Sequence, residues 1–247
     1  MAFNAIIGFI MKKTFGMILG LLLAGVVVAG IWTQQNNSKN TDGVLSQDSP
    51  VDISKLCVSV SCGDHYGCGT VYGSDESSVI IVTAMHVLED YYGGVSDEIV
   101  VTFDDQESCE ATILKDSDTL DIVFLSVDKG TVSDDHYSIF DFTSDKNISS
   151  ESSNNVKSDN TLLPGQTIYF VDANTGDIYA GSIASPSVYA EDFGMEMIYC
   201  YCAVTPGMSG TGMFDEGGHY LGILLGGSDE AEAVCLDAGS IRDVYIY

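Results

Sequence analysis

The chain has 247 residues, 45% of them hydrophobic and only 18% charged, enough material for one two-lobed domain plus an appendage and too apolar to be disordered as a whole. Nine basic residues stand against 36 acidic ones, for a net charge of −27. A body of that charge is repelled by nucleic acid and by anionic membrane surfaces, so both are excluded as partners, and its acidic surface serves solubility or attracts basic peptides.

Met1 to Trp32 reads as a targeting segment. Thr14 to Trp32 is uncharged and rich in Leu, Val, Gly and Ala, and Lys12-Lys13 precede it. A run of that length spans a bilayer as a helix, and the lysines place its start on the cytoplasmic side. The expectation is a single-pass cell-membrane protein whose body is extracytoplasmic, touching the membrane through this helix only. Val28-Ala29-Gly30 before Ile31-Trp32 is a poor cleavage site, which favours an uncleaved anchor over a signal peptide and a secreted product. Since the segment holds both lysines and no acid, the −27 becomes −29 for residues 33–247. Residues 33–54, rich in Gln, Asn, Ser and Asp, read as a flexible polar linker.

From residue 55 short β-prone runs alternate with Gly-, Asp- and Ser-rich turns, and no long amphipathic helix intervenes. Strands are predicted at Cys57–Val60, Gly69–Tyr72, Val79–Val82, Ile99–Phe103, Ala111–Leu114 and Ile122–Val127. After a hydrophilic stretch, Lys129 to Asn160, they resume at Thr167–Val171, Ile178–Ile183, Met197–Val204, Met213–Phe214, Tyr220–Leu225 and Ala233–Leu236. Ser240 to Tyr247 reads as a helical turn on the surface. Six strands twice over point to an all-β fold of two antiparallel six-stranded β-barrels, at about 55–128 and 161–238, with the active site in the crevice between them.

Thr205-Pro-Gly-Met-Ser-Gly-Thr-Gly-Met-Phe214 carries the chemistry. Ser209 lies in a small-residue loop between apolar runs, with Gly207 two places before it and Gly210 directly after. A serine hydroxyl is a weak nucleophile, so it needs a base nearby and amide N–H groups aimed at the developing oxyanion. A glycine at 207 lets its own N–H and that of Ser209 point the same way. His86, just after the β-prone run Val79 to Val82, supplies a base. Asp121, at the mouth of Ile122–Leu125, supplies an acid to orient it, with Asp116 and Asp118 as competitors on the same loop.

These stretches resemble trypsin-like serine peptidases. Thr83-Ala84-Met85-His86 is similar to their Thr-Ala-Ala-His, Asp121-Ile122-Val123-Phe124-Leu125 to their Asp-Leu-Ala-Leu-Leu, and Pro206-Gly-Met-Ser-Gly210 to the Pro-Gly-Asn-Ser-Gly of their bacterial HtrA/Deg-like branch. The order His, Asp, Ser is that of the chymotrypsin fold. The resemblance covers residues 57 to 245 and implies a serine endopeptidase of peptide or unfolded-protein substrates, with catalytic His86, Asp121 and Ser209 and an oxyanion hole from the amides of Gly207 and Ser209. It implies no cofactor. It places Ala203, Leu225 and Gly227 around the primary substrate pocket, with no charge at its floor, so a small or medium apolar side chain is expected at the cleaved residue. Met208 replaces the aspartate that activates digestive trypsins through an ion pair, so that route is not expected. Nor is the PDZ domain usual in the HtrA/Deg-like branch. The alternative is a catalytically silent peptide-binding module at the cell surface.

The seven cysteines, 57, 62, 68, 109, 200, 202 and 235, lack the paired Cys-x-x-Cys of structural zinc sites, so burial or disulfide pairing is expected rather than metal. His65, His136 and His219 lie in polar contexts and are expected at the surface.

Overall fold

The register of two strands explains most of the site. β3 (Ser78–Ala84) pairs antiparallel with β6 (Ile122–Asp128) from Ser78 opposite Asp128 to Ala84 opposite Ile122. Both are β-branched and apolar over most of their length and buried on both faces, as strands at the centre of a barrel must be. Around them run β1 (Cys57–Cys62), β2 (His65–Ser74), β4 (Ile99–Thr102) and β5 (Ser108–Ser117) in the order β1-β4-β5-β6-β3-β2, with β1 and β2 paired to close six strands into a barrel. A two-residue strand, β7 (Phe140–Asp141), adds to β2 in parallel.

The second barrel consists of β8 (Thr167–Val171), β9 (Ile178–Ala190), β10 (Met195–Tyr201), β11 (Gly212–Phe214), β12 (Tyr220–Ser228) and β13 (Glu232–Asp237), closed in the order β10-β13-β12-β11-β8-β9. This computed structural model describes residues 52–103, 106–132, 140–141 and 161–246, all within one compact unit, Leu45–Tyr247. The expected membrane helix, the polar linker up to residue 51 and His136 lie outside the described residues. Among the described residues no helix is long and apolar enough to cross a membrane.

Two double-barrel features depart from the sequence reading. The strands run longer than their apolar runs: β5 begins at Ser108 and ends at Ser117, and β9 continues to Ala190. The extensions are polar or exposed and read as turns, yet they are carried by ladder hydrogen bonds to β4, β6 and β10. In contrast, β10 stops at Tyr201, and Cys202 to Val204 leave the sheet. The second feature is the C-terminal helix α2 (Ala238–Ile246), which follows the second barrel, lies against its β12 and β13, and packs on the first barrel as well. Ile241 is fully buried in the cluster that holds Ile81, Phe124 and Leu125, and the Tyr245 ring sits 5.5 Å from Tyr72 and 5.1 Å from Phe124. The same cluster takes in Phe214, Tyr220, Ile223 and Leu225, so the barrels share a core.

Candidate active site

His86 follows the end of β3 on a 3-10 turn, Met85–Leu88, which runs into the short helix α1 (Glu89–Tyr92). Because Ala84 faces Ile122, the residues just past Ala84 meet the residue just before Ile122. The Met85 N–H donates to the Asp121 carbonyl at 2.9 Å, the His86 N–H to Asp121 Oδ1 at 3.0 Å, and His86 Nδ1 to Asp121 Oδ2 at 2.6 Å. An ionised carboxylate only accepts, so Nδ1 carries the proton and the neutral ring keeps its lone pair at Nε2. Asp121 takes a positive φ of 54°, which aspartate tolerates better than most residues and which turns its carboxylate back onto the turn. Of the competing acids, Asp116 instead accepts from the Tyr92 hydroxyl at 2.7 Å.

Burial of the imidazole opposes its charged form, but the Asp121 hydrogen bond and charge, with Glu89 adding, outweigh it and hold the His86 pKa above its ordinary value.

Ser209 reaches this pair through β2. The Cys68 N–H donates to the Ser209 carbonyl at 2.8 Å. A Cβ on the neighbouring Gly67 would lie 2.5 Å from Val87 Cγ2 and 2.8 Å from the Ser209 carbonyl oxygen, so the residue after His86 and the backbone of Ser209 close on the same bare spot of β2. Gly210 is locked harder. Its φ is +93°, and a Cβ there would come 2.0 Å from the Cys68 carbonyl oxygen and 2.4 Å from Thr83 Oγ1. Its N–H donates to Leu224 of β12, while Thr70 Oγ1 donates to its carbonyl at 3.4 Å. Thr211 Oγ1 donates to the Val171 carbonyl at 2.6 Å. Thus the loop is pinned to both barrels on either side of Ser209. Among the described residues Ser209 Oγ makes no hydrogen bond to His86, a contact that in free enzymes is often long until substrate binds.

Gly207 also has φ +93°, with the exposed Tyr66 ring where a side chain would be, at 2.6 Å. Among the described residues neither the Gly207 nor the Ser209 amide donates a hydrogen bond. Met208 between them is fully buried in the second barrel core, and its Sδ accepts from the Thr205 N–H at 3.3 Å. An apolar anchor therefore holds the loop where an ion pair would otherwise do so.

Of the expected pocket residues, Ala203 and Gly227 are exposed, whereas Leu225 is buried in the shared core. Gly227 and the strand end before Ser209 do come together: a Cβ on Gly227 would lie 2.3 Å from Val204 Cγ2. Phe193 covers Gly226 in the same way, at 3.1 Å.

Residues that the sequence reading did not single out are Thr70, Thr83, Cys68, Asp172 and Asn174. The threonines are buried donors, and Thr83 Oγ1 donates to the Cys68 carbonyl at 2.6 Å. Only Thr83 lay inside a recognised motif; the others are marked by contacts that no local pattern encodes. All seven cysteines are buried free thiols. No group of three or more His, Cys, Asp or Glu among the described residues is placed to hold a metal. His65 lies against Glu89 and Asp90, and His219 against Asp215. A cavity of about 590 Å³ between residues 161–167 and the Asp215–His219 turn contains none of the candidate catalytic or pocket residues.

Two closed barrels, with a His–Asp pair on one and a glycine-bound serine loop on the other, define a double-barrel peptidase architecture of the chymotrypsin type. The model of the trypsin-like peptidase domain matches residues 67–223, and the chain belongs to that family. The fold is similar to the crystal structure of Rv3671c from M. tuberculosis, a serine-to-alanine mutant in an inactive form, with a TM-score of 0.58 and 16% identity over 81% of this chain and 90% of that one. No curated protein sequence matches the chain.

Proposed function

We propose that the protein is a serine endopeptidase that cuts peptide or unfolded-protein substrates through a covalent acyl-enzyme. The observation that carries this reading is the two-point grip of Asp121 on His86, which fixes the tautomer a general base requires. Ser209 attacks the scissile carbonyl, and His86 Nε2 takes its proton and later delivers it to the leaving amine. Asp121 stabilises the imidazolium formed in between. The Gly207 and Ser209 amides receive the oxyanion, each such donor being typically worth about 3 to 4 kcal/mol in the transition state. Water then hydrolyses the ester by the same steps in reverse roles. The uncharged segment behind Lys12-Lys13 supports tethering of this domain on the extracytoplasmic side of a membrane. Val204 and Phe193, lying on the bare Gly226–Gly227 backbone, support a shallow pocket for a small or medium apolar side chain.

The test is the full chain and its Ser209→Ala variant, each treated with a fluorophosphonate probe and an unfolded casein. Labelling and cleavage by the parent alone establish the nucleophile. If the folded parent neither labels nor cuts, the active-peptidase reading fails, leaving a peptide binder or a latent protease that awaits a partner.

A further inference from the structure

Between β8 and β9 the turn Asp172–Asp177 lies against the Ser209 loop. Asp172 is a buried carboxylate, 5% exposed, on the second barrel. Its Oδ1 accepts from the Asn174 backbone N–H at 2.9 Å and from Asn174 Nδ2 at 3.1 Å. The same Nδ2 donates to the Gly207 carbonyl at 3.1 Å. One amide N–H is thus directed at Asp172 and the other at Gly207, and the flipped amide would set its oxygen against two acceptor oxygens. From the first barrel, Cys68 Sγ donates to the Gly207 carbonyl at 3.4 Å and lies 3.5 Å from Asn174 Nδ2 and 3.9 Å from Asp172 Oδ1. Burial, with the Asp172 charge adding, pushes the Cys68 thiol up to about 12, so it stays protonated and able to donate.

The Gly207 carbonyl belongs to the peptide that separates the Gly207 and Ser209 amides. The other end of that peptide, the Met208 N–H, donates to the Thr205 carbonyl at 3.2 Å. Held at both ends it cannot turn over; released at the oxygen, it hinges on a glycine, the residue with least resistance to rotation.

We propose that Asn174, Cys68 and Asp172 are positioning residues for oxyanion binding: Asn174 and Cys68 fix the Gly207 carbonyl, and Asp172 acts through Asn174, so that the Gly207 and Ser209 amides stay aimed at one point. This rests on the reading of those amides as the oxyanion hole. Cys68 ties the first barrel to this loop at two points, since its own N–H holds the Ser209 carbonyl while its thiol holds that of Gly207.

The experiment uses the full chain, with Asn174→Ala, Cys68→Ala, Cys68→Ser and Asp172→Asn variants. Active sites are counted by fluorophosphonate labelling to completion, and kcat and KM per labelled site are measured on a peptide amide across pH. In Asn174→Ala, kcat per site is expected to fall about 10- to 100-fold, less than the roughly 100- to 1000-fold typical of deleting an oxyanion donor itself. KM should stay within about 3-fold, as for an interaction made only in the transition state. The acid limb of the pH profile should not move, because the His86–Asp121 pair is untouched. Cys68→Ser should keep more activity than Cys68→Ala, its hydroxyl still donating to the same carbonyl. A merely structural role lowers the number of labelled sites and the melting temperature but leaves kcat per site at the parental value; that result in Asn174→Ala, which sits on a surface turn, overturns the proposal whatever the core variant at Cys68 does. If the parent itself neither labels nor turns over, the peptidase reading fails and this inference fails with it.

Discussion

On the proposed mechanism His86 is the general base, and its partners shift the pH at which it takes up a proton. Since the general base must be neutral, a pKa held above the ordinary value near ~6.5 moves the acid limb of kcat/KM to higher pH, with activity lost as pH falls through it. Asp121→Asn should shift that limb downward and lower kcat by about 10⁴-fold through loss of the correct tautomer, as read from pH–rate profiles of both proteins. The stability sign is opposite. A raised folded pKa means that the charged pair stabilises most below the unfolded value near ~6.5 and that this contribution fades as pH rises through the folded value. Melting temperatures of parent and Asp121→Asn should therefore converge toward alkaline pH. Gly210 offers a steric test at the same scale: Gly210→Ala meets both a positive φ and the Cys68 carbonyl, and should cost about 3 kcal/mol or more. In a domain of this size that is a fall of roughly 6 to 12 °C in the melting temperature.

At the scale of elements, the loop around Ser209 is held by burial of a thioether. Met208→Asp, the residue that an ion-pair-activated trypsin carries there, would bury a carboxylate in the apolar second-barrel core and should abolish labelling of Ser209. Soluble, labelled Met208→Asp protein would show that the loop is anchored in some other way. Helix α2 tests the other junction. Ile241 is the residue of α2 fully buried in the core that the two barrels share, so Ile241→Ala should destabilise by about 2 to 5 kcal/mol in a denaturant titration. The apolar run of every barrel strand was visible in the sequence, but not the strand ends. Pro186 lies within β9 although proline cannot donate to a ladder. The structure accommodates it where the register slips, Val188 facing Met197 but Ser185 facing Tyr199, leaving an extra residue on β9.

For the whole molecule the charge of −27 is the property with the widest reach. Self-repulsion destabilises the compact state and is screened once the Debye length falls from about 30 Å at 0.01 M salt to a few ångströms near 1 M. The melting temperature should rise with added sodium chloride, and cleavage of lysine-rich substrates should slow through kcat/KM as salt screens their attraction; a flat response in both would show that the acidic groups are already locally compensated.

What the sequence determined by itself was everything written in short stretches: twelve apolar strand cores in two sets, and the order His86, Asp121, Ser209 with glycines about the serine. Alternation, turn residues and catalytic motifs are local, so a linear reading reaches them. Only the tertiary structure supplied the reason that Asp121, the acid the motif favoured, faces His86 while Asp116 does not: the register of Ala84 against Ile122, with 35 residues from histidine to acid. It alone brought Cys68 and Asn174 to the Gly207 carbonyl, with Asp172 behind Asn174, and set α2 across both barrels. Such contacts arise from barrel closure and docking between distant segments, 33 residues apart for Asn174 and Gly207 and 139 for Cys68 and Gly207, and a side chain's local neighbours in sequence carry no record of them.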